Sequence, residues 1–111
     1  MNTPLEKMLS KRPWILADGA TGTNLFNMGL LSGDAPELWN EQHPERIREL
    51  YQMAVDAGSD LFLTNSFGGN ASRLKLHDQA HRAFHLSKIS AEIGRDVADK
   101  TERDIIVAGS V

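Results

Sequence analysis

The sequence predicts an α/β fold in which three short parallel strands alternate with helices. The strands are three apolar runs at residues 14–17, 60–63 and 104–108. Segments of helical periodicity lie between them, and strands that alternate with helices pair in parallel through right-handed crossovers. Each of the first two runs stops at a polar turn that contains glycine. We therefore interpret each as a buried strand whose carboxyl end delivers polar groups to a site.

Length and composition indicate one small globular unit. The 111 residues have a hydrophobic fraction of 41% and a net charge of −3, with acidic and basic residues interspersed. The sequence has no basic stripe for nucleic acid and no membrane-spanning run, so small molecules are the expected partners. It has no cysteine, which excludes disulfides and thiolate-bound metals within these residues. We expect a cytoplasmic protein, since a reducing compartment suits this composition.

The segment between the first two strands is predicted to hold a helical turn, a loop and a helix. Residues 24–29 form the turn, and the long loop through residues 32–36 is of a length that is usually functional. The helix is expected to begin at Pro44, because proline suits the first helical position, and to end before Gly58. Its apolar face consists of Ile47, Leu50, Tyr51, Ala54 and Val55.

Two helices are predicted after the second strand. The first covers residues 71–76 with Asn70 as its N-cap, and the second begins at about Asp78. The second has an apolar stripe made of Leu86, Ile89, Ile93 and Val97. Its polar face consists of His81, His85, Lys88, Glu92 and Asp99. No helix follows the third strand to cover it, so we interpret the chain as a piece of a larger barrel.

Polar residues after the first two strands are the candidate site residues. Asp18 is either a site residue, because barrel sites gather at strand carboxyl ends, or the cap of the following turn. Thr64, Asn65 and Ser66 either bind a ligand or satisfy backbone groups of their own turn. Three hydrogen-bonding side chains in a row favour a ligand site. Phe67 follows them, and a phenylalanine is more often a core residue than a substrate wall.

Three other features each have two possible interpretations, and the simpler one is favoured. Gly19 and Gly22 have the spacing G-x-x-G without a Walker lysine, so they indicate a sharp turn that presents N–H groups to a carboxylate rather than a nucleotide loop. A row of histidines recurs every fourth residue, but it lacks an H-E-x-x-H arrangement and lies opposite the apolar stripe. A solvated helix surface is therefore favoured over a metal site for His77, His81 and His85. Trp39 is expected to pack over the barrel rim, although an aromatic residue at the rim can also close a site.

Five motifs, taken in their order, resemble the N-terminal part of the homocysteine S-methyltransferase family. They are Asp-Gly-Ala-Thr-Gly-Thr at 18–23, Ala-Pro-Glu-Leu-Trp-Asn at 35–40, His-Pro-Glu at 43–45, Ala-Gly-Ser-Asp at 57–60 and Thr-Asn-Ser-Phe at 64–67. The resemblance covers residues 14–111. Residues 24–29 together with 64–70 most resemble bacterial proteins labelled betaine-homocysteine methyltransferases, rather than the homocysteine module of cobalamin-dependent methionine synthase.

The resemblance implies a fold and an activity for the complete protein. Members of the family are (β/α)8 TIM barrels that bind zinc through three cysteines, and the zinc holds the homocysteine sulfur as a nucleophilic thiolate. The implied reaction moves a methyl group from a donor such as betaine to homocysteine and gives methionine. Residues 1–111 would be the N-terminal portion of the barrel, about three strands with their intervening helices, truncated after the third strand.

The resemblance also assigns substrate-binding roles. Asp18 matches the aspartate that holds the amino group of homocysteine, and Gly19 offers a backbone N–H. The residues that lie where the substrate carboxylate binds are Thr64, Asn65, Ser66 and Phe67. The chain departs from the family at the zinc ligands, because it has no cysteine. We therefore expect the zinc cysteines beyond Val111, no catalytic residue and no bound cofactor within this segment, and no activity from the segment alone.

Two alternatives stay open at this point. One is a noncatalytic half-barrel that self-assembles as a homo-oligomer or pairs with a partner chain. The other is a different TIM-barrel enzyme that uses Asp18 as acid or base. The sequence leaves the methyl donor open among betaine, a sulfonium compound and methylcobalamin.

Overall fold

The structure is a computed structural model that describes residues 3–18 and 21–110, and a short parallel sheet lies at its centre. The strands are β1 (Leu61–Leu63) and β2 (Ile106–Ala108). Their register places Phe62 opposite Val107. The parallel pairing predicted for the second and third apolar runs is confirmed.

The first apolar run forms less of a strand than predicted. It makes one parallel bridge, from Ala17 to Leu61, and its neighbouring backbone groups bond to the same segment. Trp14 is 63% exposed and Leu16 is 45% exposed, so the prediction of a buried strand is wrong for this run. Among the described residues, the run is hydrogen-bonded along one edge, and the exposure of Trp14 and Leu16 shows that these side chains are left uncovered.

The helices before β1 follow local capping and patterning. A helix that the sequence interpretation missed, α1 (Pro4–Lys11), begins at a capping box in which Thr3 and Glu6 bond to each other's backbone N–H. The predicted turn at residues 24–29 is part of α2 (Thr21–Asn27). A 3-10 turn (Pro36–Leu38) then leads into α3 (Trp39–Gln42).

The helix predicted from Pro44 is confirmed as α4 (Pro44–Asp56). All five residues of its predicted apolar face are buried, and Gly58 follows its end with a φ of +101°. That φ lies in the left-handed region, where glycine has no side-chain clash. Trp39, expected over the rim, is instead buried in the core, where the Arg46 guanidinium lies 4.8 Å from its ring centroid.

The helices after β1 are confirmed in kind and corrected in extent. Helix α5 (Ala71–Leu74) begins at Asn70, whose side chain accepts a hydrogen bond from the Arg73 N–H. Helix α6 (Ala83–Asp99) begins five residues later than predicted. Asp78 has a φ of +56°, which breaks the helical path, and 3-10 turns lie on either side of it. The predicted row of histidines along one helix is therefore wrong.

Helices α4 and α6 cover one face of the sheet. The Tyr51 ring of α4 stacks on Phe62, with 4.7 Å between ring centroids. Gly94 lets α6 approach the strands closely, because a Cβ there would lie 2.9 Å from Cγ1 of Val107. The stripe of Leu86, Ile93 and Val97 is buried as predicted, with Ile89 partly buried against it. The other face of the sheet, which includes Leu61 and Leu63, is only half-buried.

None of the helices in the described ranges has the length and apolarity needed to cross a membrane.

Candidate functional site

A cleft of about 490 Å³ opens at the carboxyl end of β1. One wall is the turn after β1, residues 64–68, and the others come from α2, the loop before α3 and α5. Ligand sites of α/β folds lie outside the carboxyl ends of parallel strands, so this cleft is at the expected end of the sheet. Its lining includes four of the predicted site residues, namely Thr64, Asn65, Ser66 and Phe67.

Thr64 and Ser66 form a chain of hydroxyl groups between the ends of the two strands. The Thr64 N–H continues the ladder by donating to the Ala108 carbonyl oxygen at 2.9 Å. The Ser66 hydroxyl donates to the carbonyl oxygen of Ser110 at 3.1 Å and accepts from the Ser110 N–H at 3.3 Å. Thr64 Oγ1 lies 2.6 Å from Ser66 Oγ. Because the Ser66 proton is committed to Ser110, the Thr64 hydroxyl is the donor in this pair.

These hydrogen bonds of Thr64 and Ser66 determine which hydroxyl group of the cleft wall can bind an anion. A carboxylate needs a donor, and the Thr64 hydroxyl can supply one by rotating its proton away from Ser66. Ser66 would then keep its own bonds to Ser110. The Thr64 hydroxyl is thus the group of this pair that can exchange an internal partner for a ligand at small cost, because a hydroxyl rotor turns easily.

Asn65 faces into the protein. It is 2% exposed, and its Nδ2 donates to the Pro36 carbonyl oxygen and to Asn40 Oδ1, both at 2.9 Å. Its backbone N–H donates to the Tyr51 hydroxyl oxygen at 2.8 Å. All of the donors of Asn65 are therefore used within the protein. They bond to distant segments rather than to backbone groups of its own turn, which was the alternative expected from the sequence.

Phe67 lies at the surface of the cleft. Its side chain is 60% exposed, so the expectation of a core residue is wrong. Arg73 at the end of α5 places its guanidinium carbon 5.9 Å from the Phe67 ring centroid, within range of a cation–π contact. The cleft thus has an exposed aromatic face and a cation beside it.

The first strand contributes less to this cleft than the sequence suggested. The Asp18 N–H donates to the Leu61 carbonyl oxygen at 3.0 Å, which fixes Asp18 on the segment next to β1. Its side chain is half-buried, and Asp18 does not line the cleft formed by the described residues. Gly19 lies outside those residues. The structure therefore brings the 64–67 group together and leaves Asp18 on the segment that is hydrogen-bonded to β1.

Sequence reasoning missed two buried polar residues that hold the wall, Glu37 and Asn40. The Gly68 N–H donates to Glu37 Oε2 at 3.2 Å. A Cβ on Gly68 would lie 2.7 Å from Glu37 Oε1, so glycine is what makes room for this carboxylate. Both residues belong to the motif at 35–40. Polar side chains that alternate with apolar residues there were the sequence feature that could have indicated their buried positions.

The described residues do not fit a zinc site. No group of three or more histidine, aspartate or glutamate side chains converges among them, and the whole sequence lacks cysteine. His85 contacts Glu41 at 2.9 Å on the exposed side of α6, and Arg82 pairs with the same carboxylate. His77 and His81 lie in separate 3-10 turns.

Residues 15–111 match the family model described as homocysteine S-methyltransferase. Methionine synthase of Mycobacterium tuberculosis is 34% identical over 119 aligned positions, which cover 99% of this chain and 10% of that protein. Methionine synthase of Mycobacterium leprae is 34% identical over 105 positions, which cover 89% of this chain and 9% of that protein. The chain thus spans about a tenth of these relatives.

The fold is similar to crystal structures of the homocysteine methyltransferase MmuM from Escherichia coli. The metallated form superposes with a TM-score of 0.82 at 28% identity, and the oxidised form with a TM-score of 0.79 at 25% identity. Each alignment covers 98% of this chain and 41% of that chain.

Proposed function

We propose, since this chain belongs to the homocysteine S-methyltransferase family, that the complete protein transfers a methyl group to the thiol of homocysteine and forms methionine. The observation that carries this proposal is the cleft at the carboxyl end of β1. Its polar wall consists of the motif residues 64–67, and its Thr64 hydroxyl has a proton that it can redirect to a ligand. An amino acid with a free carboxylate suits such a wall.

The residues of this chain bind and orient the amino-acid part of homocysteine in this proposal. Thr64 donates to the carboxylate, with Ser66 as the partner that Thr64 releases. Asp18, on the segment bonded to β1, accepts from the ammonium group, and Gly19, which lies outside the described residues, offers its backbone N–H to the substrate. Phe67 covers the cleft from its exposed side. Asn65 acts on the substrate through the shape of the turn, because its donors are used internally.

We infer that this chain forms an N-terminal portion of a (β/α)8 barrel. The half-buried face of the sheet would become the barrel interior. The exposed side chains Trp14 and Leu16 would be covered by strands from outside this segment. The similarity to 41% of the MmuM chain supports the same inference.

The proposed metal and methyl donor rest on the family resemblance. The described residues offer no cluster of zinc ligands, so in this proposal the zinc ligands come from elsewhere in the complete protein. Betaine is the donor that the resemblance of residues 24–29 and 64–70 favours. Methionine formation measured separately with betaine, a sulfonium donor and methylcobalamin tests this choice, and product from another donor alone would overturn it.

A direct test measures homocysteine binding to the complete protein by calorimetry. Thr64→Val keeps the shape of the side chain and removes its hydroxyl, so affinity should fall about tenfold, as expected for a lost hydrogen bond to a charged group. Thr23→Val on the exposed side of α2 is the matched control and should bind normally. Absence of binding in the unsubstituted protein, or unchanged binding in Thr64→Val, would contradict the proposal.

A further inference from the structure

The turn after β1 is held from the side opposite the cleft by two residues that line no part of it, Asn40 of α3 and Tyr51 of α4. Both are buried, and both bond to Asn65. They are far from Asn65 in sequence, at separations of 25 and 14 residues. Two helices that are distant in sequence therefore both contact Asn65 of the candidate site.

Asn40 and Asn65 form a reciprocal pair. The Nδ2 of Asn40 donates to the Asn65 carbonyl oxygen at 2.9 Å, and the Nδ2 of Asn65 donates to Asn40 Oδ1 at 2.9 Å. Asn40 Nδ2 also donates to the Leu86 carbonyl oxygen at 3.0 Å. One side chain thus ties the turn to α6. Because every bond is made by a neutral group in a buried place, loss of any partner leaves a polar group unsatisfied.

Tyr51 fixes the other side of the same residue. Its hydroxyl oxygen accepts from the Asn65 N–H at 2.8 Å, and its O–H donates to the Ser90 carbonyl oxygen at 3.3 Å. Burial raises the pKa of the Tyr51 phenol, so the group stays protonated and can donate and accept at once. The stacked Phe62 ring prevents the tyrosine from turning aside.

We propose that Asn40 and Tyr51 are positioning residues for homocysteine binding. The N–H, the carbonyl oxygen and the side-chain amide of Asn65 are each held, so the two peptides that flank Asn65 cannot rotate. Those peptides determine where the preceding Thr64 and the following Ser66 point their hydroxyl groups. The inference rests on the proposed function, because it names homocysteine as the ligand whose carboxylate meets this wall.

A positioning role differs from a purely structural one in what a substitution changes. If the bonds only stabilise the fold, substitutions at Asn40 and Tyr51 lower the unfolding free energy and leave affinity unchanged at temperatures where the protein stays folded. If they position the wall, affinity falls under those same conditions. A core substitution remote from the turn supplies the comparison, and Val97 in the buried stripe of α6 is suitable.

The experiment uses the complete protein with Asn40→Ala, Tyr51→Phe and two controls. Gln42→Ala removes an exposed amide from the same helix as Asn40, and Val97→Ala lowers stability without touching the turn. Homocysteine affinity is measured well below each unfolding temperature. We expect a dissociation constant about tenfold higher for Asn40→Ala and about threefold higher for Tyr51→Phe, as for buried polar groups left unpaired. Both controls should bind normally.

Hydrogen exchange gives a second readout that needs no ligand. The Asn65 amide loses its acceptor in Tyr51→Phe and should exchange faster, whereas amides of α4 away from the turn should not change. If Asn40→Ala does not fold, Tyr51→Phe alone tests the proposal, because this substitution keeps the ring and its stacking on Phe62. Faster exchange at Asn65 together with higher dissociation constants supports the proposal.

Three results would overturn it. Unchanged affinity in both variants would show that the turn binds without this support. Affinity that falls with stability in every variant, including Val97→Ala, would show a general loss of fold. Unchanged exchange of the Asn65 amide in Tyr51→Phe would show that the Tyr51 hydroxyl does not hold the turn. This readout needs no homocysteine. Absence of homocysteine binding in the unsubstituted protein is a separate result, which would refute the proposed function.

Discussion

The two ends of β1 both have buried polar groups, but these groups are satisfied in different ways. At the amino end, Asp60 is 4% exposed, and its carboxylate accepts from the Leu16 N–H at 2.9 Å. The same carboxylate pairs with Arg12 and Arg103. At the carboxyl end, the turn of residues 64–68 relies chiefly on hydroxyls and amides. One end is charged and internally neutralised, and the other has a rotatable hydroxyl donor.

The charged end links three parts of the chain. Arg103 donates to the Val55 carbonyl oxygen at 2.6 Å as well as pairing with Asp60, so it joins the end of α4 to the start of β1. A cleft of about 990 Å³, larger than the one at the other end, also opens here. Its size does not make it a ligand site, because the buried carboxylate beside it already has partners. In parallel α/β sheets, ligands bind outside the carboxyl ends of the strands, and this cleft is at the amino end of β1.

The two ends of β1 should therefore respond differently to substitution. Removal of the charge at the amino end should change the unfolding free energy and leave ligand affinity alone. At the carboxyl end, removal of the Thr64 hydroxyl should act chiefly on ligand affinity, whereas loss of the buried bonds of Asn40 or Tyr51 should lower both affinity and the unfolding free energy.

The largest expected effect is on stability, from Asp60→Ala. Loss of the carboxylate leaves the Leu16 N–H and two guanidinium groups without their partner. We expect the unfolding free energy to fall by about 3 kcal/mol, the lower part of the range for a broken buried pair, because both arginine side chains keep 41% exposure. Urea denaturation of the complete protein measures this. Asp56→Ala, at an exposed position on α4, is the control, and a loss no larger than the control's would contradict the assignment.

The same carboxylate should make stability depend on pH. The Leu16 N–H, followed by Arg12 and Arg103, lowers the pKa of Asp60 below its usual 3.8, against the effect of burial. A pKa lowered in the folded state contributes stability that is present above 3.8 and lost as the pH falls through the folded-state value. The unfolding free energies of the unsubstituted protein and Asp60→Asn should therefore differ at neutral pH and converge below 3.8. A difference that stays constant would show that Asp60 does not titrate in this way.

The next effect concerns ligand affinity, through Asp18→Asn. This substitution keeps the shape and removes the charge that would meet the homocysteine ammonium. A charge-assisted hydrogen bond is worth roughly 1.5 to 3 kcal/mol, so affinity should fall about 10- to 150-fold. Metal content and the unfolding free energy should not change. Retained affinity would place Asp18 in the role of a turn cap and would leave the binding wall to the 64–67 turn.

The parts of the fold that local sequence determines were predictable. Pro44 and Gly58 mark the two ends of α4, and the periodic apolar residues between them match its buried face. Asn70 caps α5 as its chemistry requires. The position of the 64–67 group beside a cleft at the carboxyl end of β1 was predictable, because these residues directly follow an apolar run. Their role in binding stays a prediction.

The direction in which the candidate site residues face was not predictable, because it depends on distant partners. Asn65 turns inward since Asn40 and Tyr51 meet it across 25 and 14 residues. The bond between Arg103 and Asp60 spans 43 residues and has no local pattern. The start of α6 was predicted at about Asp78, but this residue has a left-handed φ and a 3-10 turn follows it, so the helix begins at Ala83. Long-range hydrogen bonds and a single backbone angle thus account for these errors.

The smallest expected effect is at the exposed charge cluster of Glu41, Arg82 and His85. Glu41 pairs with both other residues, but it and His85 are exposed and Arg82 is only partly buried. Solvent and salt screen such pairs, so Glu41→Gln should lower the unfolding free energy by only about 0.5 kcal/mol, and less at high salt. Homocysteine affinity should not change. Urea denaturation at low and high salt measures the effect against that of Asp60→Ala. If Glu41→Gln lowered the unfolding free energy as much as Asp60→Ala does, and independently of salt, exposed ion pairs would stabilise this fold as strongly as buried ones. That result would contradict the difference expected between buried and exposed pairs.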